Sequence, residues 1–307
     1  MNLQHFLAIQ DLSKEQLKQL INDAQQFSDV ALSAHNFQNI LKGKTICTLF
    51  FETSTRTRSS FQLAAERLGA HLLNFDAQSS STKKGETAID TMRTLEAMGV
   101  DCFIVRTAVD GELNELIAAA KPSTHFINAG DGKSNHPTQA LLDMLTIQQC
   151  KGSDFSSLKI LIAGDILHSR VARSDLQALK LLNCDEIRIC GPDNLLPTDG
   201  TLSACKRFND FDEAVTGVDV VMMLRLQRER MEQGLVSSIE QYYQDYGLSP
   251  ERLALANADA IVMHPGPMNR EVEISGVVAD GPQSVILKQV SNGVAARMAV
   301  LQAVLVS

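Results

Sequence analysis

The six cysteines (Cys47, Cys102, Cys150, Cys184, Cys190 and Cys205) include no Cys-x-x-Cys pair. Structural zinc sites draw their ligands from such closely spaced pairs, so no metal is expected, and thiols in mostly apolar runs read as reduced core residues. No apolar run approaches membrane-spanning length. The start, Met1-Asn2-Leu3-Gln4-His5, lacks the charged and then apolar order of a secretion signal, and a cytoplasmic location is expected. Positive charge is in deficit: 28 Lys and Arg against 36 Asp and Glu leave a net charge of -8. That balance argues against nucleic-acid and anionic-membrane partners. Any anionic ligand must be held by a local cluster of cations working against the overall charge. Internal repeats and low-complexity tracts are missing too. What remains is a chain of 307 residues, 44% hydrophobic and 21% charged, an ordinary globular composition with room for two domains.

A cationic cluster of that kind occurs at Phe50-Phe51-Glu52-Thr53-Ser54-Thr55-Arg56-Thr57-Arg58. Thr45 to Phe51 is a β-branched and aromatic run, the pattern of a buried strand. Phe61, Ala64, Ala65 and Leu68 then recur at helical spacing, with Gly69 as a stop. Hydroxyls and guanidiniums therefore sit where a strand turns into a helix. Unpaired N–H groups and the positive end of the helix dipole favour an anion there. One hydroxyl at such a place would read as a helix cap, and the arginines could pair with Glu52. Three hydroxyls with two planar guanidiniums exceed what capping needs, and they match phosphate or carboxylate geometry.

Along the chain, Ser13 to Phe27 reads as an amphipathic helix with a Ser13/Gln16 capping box. After a short strand near His71 to Phe75, the polar stretch Asp76 to Thr87 has almost nothing to bury and reads as a mobile surface loop, by default a solvated linker. A helix over Thr87 to Met98, a strand over Asp101 to Arg106, a helix over Glu112 to Ala120 and a strand over Thr124 to Asn128 follow. Pro137 suits a first helical position, which puts His136 at the cap and Gln139 in the first turn. This alternation is the signature of a parallel sheet covered on both faces. His5, His35 and His71 read as structural, whereas Arg56, Arg106 and His136 lie on one rim, the edge where open parallel sheets bind ligands. His136, at a helix N-terminus, is expected to be neutral, because the dipole opposes imidazolium.

The apolar pattern weakens near Cys150 to Ser157, a plausible boundary, and then strand and helix resume. Leu158 to Ala163 is a strand, and Gly164-Asp165-Ile166-Leu167-His168-Ser169-Arg170 opens a helix to about Leu182. That turn holds one glycine where a dinucleotide fingerprint needs three, so a nicotinamide cofactor is poorly supported. Strands are expected at Glu186 to Cys190 and at Val218 to Leu224, the latter ending in Arg225-Leu226-Gln227. Helical pieces broken at Ser249-Pro250 come next, followed by a strand over Ala260 to Met263. It leads into His264-Pro265-Gly266-Pro267, which could be a substrate-contacting turn or a rigid corner. The last helix is expected from about Asn292 to Val306.

Taken together, Ser54-Thr55-Arg56-Thr57-Arg58, Lys83-Lys84-Gly85-Glu86-Thr87, His136-Pro137-Thr138-Gln139, Arg225-Leu226-Gln227 and His264-Pro265-Gly266-Pro267 resemble the aspartate carbamoyltransferase catalytic chains over essentially the whole sequence. The resemblance implies an α/β fold of two doubly wound parallel-sheet domains with the active site in the cleft between them. Residues 1–150 would bind carbamoyl phosphate, 151–290 would bind aspartate, and a C-terminal helix over 291–307 would pack back on the first domain. The implied reaction joins carbamoyl phosphate to L-aspartate in de novo pyrimidine biosynthesis, without metal or organic cofactor. By the same resemblance Ser54, Thr55, Arg56 and Thr57 surround the phosphate, and Thr57, Arg106 and His136 hold the carbamoyl oxygen. Gln139, with Gly266 and Pro267, would meet the carbamoyl amide, although relatives often carry leucine where Gly266 stands. Arg170, Arg225 and Gln227 would take the aspartate carboxylates, and Lys84 would be inserted by a neighbouring subunit of a homotrimer. The resemblance leaves open whether trimers stand alone or join a regulatory chain or a dihydroorotase. A transferase acting on ornithine would show a His-Cys-Leu-Pro turn instead. A binding subunit that had lost its chemistry would lack a motif residue, and none is missing.

Overall fold

In the computed structural model, which describes residues 1–30, 37–76, 86–198, 200, 205–226 and 238–306, the alternation of strand and helix becomes two separate five-stranded parallel sheets. They belong to two units, Met1–Leu145 with Val290–Ser307, and Thr146–Gln289.

The first sheet contains β1 (His5–Phe6), β2 (Thr45–Phe50), β3 (His71–Asp76), β4 (Cys102–Thr107) and β5 (His125–Asp131) in the order β1-β5-β4-β2-β3. Its helices are α1 (Lys14–Val30), α2 (Thr55–Leu68), α3 (Ala88–Ala97), α4 (Glu112–Ala119) and the start of α5 (Pro137–Lys151). The capping box closes as its sequence predicts: Ser13 N–H donates to Gln16 Oε1 at 2.8 Å, and Gln16 N–H donates to Ser13 Oγ at 3.1 Å. Ile46 through Phe50 are all buried, as a strand covered on both faces requires. From β2 the chain passes through α2 to β3 on one side, then through α3 to β4 on the other. The connections diverge between β2 and β4, and such a switch point opens a crevice at the carboxyl ends of the strands.

The second sheet repeats the plan with β6 (Lys159–Ala163), β7 (Glu186–Cys190), β8 (Lys206–Phe208), β9 (Val220–Met223) and β10 (Ile261–Met263) in the order β10-β9-β6-β7-β8. Here the switch point lies between β6 and β9. Helices α6 (Arg170–Leu181), α7 (Phe211–Val215), α8 (Ile239–Tyr246), α9 (Pro250–Leu253) and α10 (Gly276–Ala279) accompany it. Leu161, Ala163, Val221, Met223 and Val262 sit in its main core cluster.

Helices α7 and α10 have no counterpart in the sequence expectations, and three further elements depart from them. The final helix, α11 (Ile286–Leu305), begins about a turn and a half earlier than Asn292. Its first turns carry Gln289 and Asn292, each 2% exposed, so polar residues occupy core positions and the apolar period is hidden. The strands β1 and β8 give no sequence signal. β1 has two residues, and β8 is an edge strand with exposed Lys206 and Arg207. Among the described residues, no helix is long and apolar enough to cross a membrane. No group of three or more His, Cys, Asp or Glu among them is placed to hold a metal ion. All six cysteines are free, and burial pushes the Cys47, Cys184 and Cys190 thiols up to about 12.

Gly69 ends α2 in the left-handed region at φ 81°, where its N–H and that of Ala70 cap the carbonyls of Glu66 and Ala65. A Cβ at this position would come 1.8 Å from the Gln38 carbonyl oxygen. Gly69→Ala is therefore expected to lower unfolding stability by roughly 1–3 kcal/mol. Urea denaturation checks this, and an unchanged midpoint would show that the turn relaxes freely.

Candidate active site

At the first switch point, β2 and β4 are stitched together where they end. Phe50 lies opposite Arg106 in register, and the Phe51 N–H donates to the Arg106 carbonyl at 2.8 Å. The turn that follows β2 is thereby held beside the end of β4. Ser54 occupies the N-cap of α2 with extended backbone, φ -159° and ψ 98°, yet its side chain makes no cap hydrogen bond. Simple capping, the ordinary use of a serine in this position, does not explain it. The first turn of α2 contains no acidic residue, so nothing there neutralises the positive end of the dipole. Thr57 is buried, while Thr55 and Arg56 are exposed. Arg58 points elsewhere and stacks over the Phe50 ring at 5.3 Å, a packing role.

Arg106 is 11% exposed at its side chain and is held from two directions. Its Nε lies 3.3 Å from Glu52 Oε2, and its Nη1 donates to the Ala129 carbonyl at 3.1 Å. The register between β4 and β5 shifts between Val105 and Thr107, an irregularity of the kind that re-aims a side chain. Glu52 thus pairs with Arg106, a residue distant in sequence, rather than with Arg56.

Beyond β5 the chain doubles back through the Asp131 N–H to Asn135 carbonyl bond at 3.0 Å, and α5 begins at Pro137 as its sequence predicts. His136 is 5% exposed, and its carbonyl accepts from the Gln139 and Ala140 N–H groups. Gln139 is 8% exposed and donates its Nε2 to the buried Asp143 carboxylate. Because β2, β4 and β5 are neighbours, the Ser54–Thr57 turn, Arg106 and the His136 loop share one edge of one sheet.

The second unit presents its own group at the β6/β9 switch point. Arg170 opens α6 just after Ser169, whose Oγ caps the Ala172 N–H at 3.1 Å. The loop before it is braced by Asp165, whose Oδ1 accepts from His168 Nδ1 at 2.8 Å. Arg225 is exposed two residues past β9, and Leu226 is buried against Leu195, Tyr242 and Val272. Asn269 Nδ2 donates to the Leu226 carbonyl at 2.8 Å, tying the Arg225 segment to the turn after β10.

That turn has a buried ionisable pair behind it. The Gly266 N–H donates to His264 Nδ1 at 2.8 Å. A backbone N–H can only donate, so Nδ1 is the unprotonated acceptor and Nε2 carries the hydrogen that faces Glu273 Oε1 at 3.1 Å. Both side chains are 0% exposed. Glu273 Oε1 also accepts the Asn269 N–H, and the Gly266–Pro267 peptide is cis. Glu273 and Asn269 are invisible to sequence reasoning, because they lie in irregular backbone where no period marks which side chains turn inward. Of the remaining candidates, Lys84 and its loop (77–85), and Gln227, lie outside the described residues.

Known proteins resemble this chain over nearly its whole length. A family model described as "Aspartate/ornithine carbamoyltransferase, carbamoyl-P binding domain" matches residues 4–149, and one described as "Aspartate/ornithine carbamoyltransferase, Asp/Orn binding domain" matches residues 156–304. The aspartate carbamoyltransferase catalytic subunit of Stenotrophomonas maltophilia (strain K279a) is 60% identical over 304 residues, covering 99% of this chain and 96% of that one. The chain belongs to the aspartate carbamoyltransferase family. Another member, the catalytic subunit of Xanthomonas axonopodis pv. citri (strain 306), is 59% identical over 303 residues, 99% of this chain and 96% of its own. Solved aspartate transcarbamoylases of Trypanosoma cruzi agree in fold. The complex with carbamoyl phosphate and aspartate has a TM-score of 0.87 at 31% identity, covering 99% of this chain and 97% of that one. The complex with carbamoyl aspartate and phosphate has a TM-score of 0.88 at 32% identity, with 99% and 96% covered.

Glu273→Ala leaves the buried His264 Nε2–H and the Asn269 N–H without their acceptor. A loss of roughly 3 kcal/mol in unfolding stability is expected, measurable as a lowered Tm. A variant as stable as the parent would mean that water or another group replaces the carboxylate.

Proposed function

We propose that this aspartate carbamoyltransferase family member transfers the carbamoyl group of carbamoyl phosphate to the amine of L-aspartate, giving N-carbamoyl-L-aspartate and phosphate, as a step of pyrimidine biosynthesis. The observation that carries the assignment is the uncapped Ser54 hydroxyl beside exposed Arg56 at the start of α2, next to an Arg106 braced by Glu52 and Ala129. Relatives 60% identical over nearly the whole chain bear that activity in their names.

On this reading Ser54, Thr55, Arg56 and Thr57 bind the phosphate, and Thr57, Arg106 and His136 bind the carbamoyl oxygen. Gln139, Gly266 and Pro267 meet the carbamoyl amide. Attack by the amine on the carbamoyl carbon builds negative charge on the carbonyl oxygen, and the departing phosphate gains charge as well. Donors already held in place stabilise both without reorganising, and removing one such donor costs on the order of 10²-fold in rate. The braced geometry of Arg106 suits that task. The leaving phosphate accepts the proton lost by the amine. Arg170, Arg225, Gln227 and Lys84 take the aspartate carboxylates. Holding two anions together, against their mutual repulsion, is the remaining contribution. The domains accordingly divide into a carbamoyl phosphate-binding part and an aspartate-binding part. Six free thiols fit a reducing cytoplasm. We further assign a homotrimer in which Lys84 serves the neighbouring subunit's site.

An assay for carbamoyl aspartate, with ornithine as the control acceptor, tests the assignment: product is expected from aspartate alone. Arg56→Ala should cut turnover by about 10²-fold or more with the fold intact, whereas Arg225→Ala should raise KM for aspartate far more than KM for carbamoyl phosphate. The opposite KM pattern would reassign Arg225. For the shared site, inactive Lys84→Ala chains mixed with inactive Arg56→Ala chains are expected to regain activity. Confirmed mixed trimers that stay inactive would rule out sharing.

A further inference from the structure

Arg225 and Gln227, assigned above to the aspartate carboxylates, flank Leu226 in the sequence, and Leu226 is gripped twice. Its side chain is 1% exposed and packs with Leu195, Tyr242 and Val272. Its carbonyl accepts from Asn269 Nδ2 at 2.8 Å. A peptide unit is planar, so holding the side chain and the carbonyl together leaves this residue little freedom to rotate. Arg225 is exposed. An exposed arginine gains little order from its own surroundings, and the placement of its guanidinium depends on the backbone that carries it.

Asn269 can hold the Leu226 carbonyl because it is itself fixed. Its N–H donates to Glu273 Oε1, and its carbonyl accepts from the Val272 N–H at 3.2 Å. Glu273 is 0% exposed at its side chain and meets His264 Nε2 with the same oxygen at 3.1 Å. Its backbone is pinned as well, the Glu273 carbonyl accepting from the Leu248 N–H at 3.0 Å. The turn from Asn269 to Val272 thus grips Leu226 from two sides, Asn269 through the carbonyl and Val272 through the side chain. A carbonyl oxygen only accepts, so the task needs a donor such as the NH2 of an amide.

We propose that Asn269 is a positioning residue for the acceptor: by holding the Leu226 carbonyl it sets where Arg225 presents its guanidinium, and so governs affinity for a dicarboxylate. The inference rests on the functional reading above and adds to the acceptor site a residue that acts through the backbone rather than by contact.

Asn269→Leu stays close to the parent side chain in shape and removes the donor. In the full-length enzyme, KM for aspartate and Ki for succinate, a dicarboxylate without the amine, are expected to rise together by about fivefold or more, while KM for carbamoyl phosphate moves less than about twofold. Unchanged aspartate and succinate values would overturn the proposal. A double-mutant cycle separates positioning from general loosening of the fold. Added to Arg225→Ala, the Asn269→Leu change is expected to raise Ki for succinate by less than about twofold further. An equal rise in both backgrounds would overturn the idea. Should Asn269→Leu not fold, Asn269→Ser, too short to reach the carbonyl, is held to the same two outcomes. A parent enzyme that forms no carbamoyl aspartate would instead refute the functional reading on which the proposal rests.

Discussion

The parallel pairing of β2 with β4 is the constraint from which the candidate site follows. Both strands are mostly apolar and buried, so their register is set by packing on two faces. That register places the Phe51 N–H on the Arg106 carbonyl. The start of α2 and the guanidinium of Arg106 are consequently neighbours before any ligand arrives. Since β3 and β5 flank this pair on opposite sides, the connecting segments diverge and leave the carboxyl ends uncovered. A protein with net charge -8 can in this way collect cations and orphan N–H groups at one edge without a basic surface.

In each unit, candidate site residues are held by polar groups, most of them from other elements. Glu52 and the Ala129 carbonyl brace Arg106. In the second unit, Asn269 ties Leu226, and so the Arg225 segment, to the turn shaped by His264 and Glu273. In the first unit, the buried Asp143 carboxylate accepts from Gln139 Nε2. Each is a buried or half-buried polar contact whose removal would leave an unsatisfied partner, which is costly enough to keep the side chain in one conformation. Preorganisation of this kind is what electrostatic catalysis requires, because donors that must reorient during the reaction contribute less.

Much of the fold was legible from the chain alone. Period-two and continuous apolar runs marked β2, β4, β6 and β7 within a residue or two, and the Ser13/Gln16 box marked the start of α1. The elements missed were those in which polar residues break the apolar period. Gln289 and Asn292 hide the first turns of α11, and Lys206 and Arg207 disguise β8 as loop. Among candidate site residues, Ser54, Arg56, Arg106 and His136 could be proposed because each stands where a strand ends or a helix begins.

The sequence by itself therefore determined which residue types end each strand and begin each helix, since local propensity and periodicity act over a few residues. It also determined family membership, because the motifs recur in order. Only the tertiary structure decided that Glu52 pairs with Arg106, that His264 turns its Nε2–H to Glu273, and that Gln139 Nε2 meets the Asp143 carboxylate. Partner choice among ionisable and amide groups depends on which side chains meet away from water, and that depends on how distant segments pack. No local pattern encodes it.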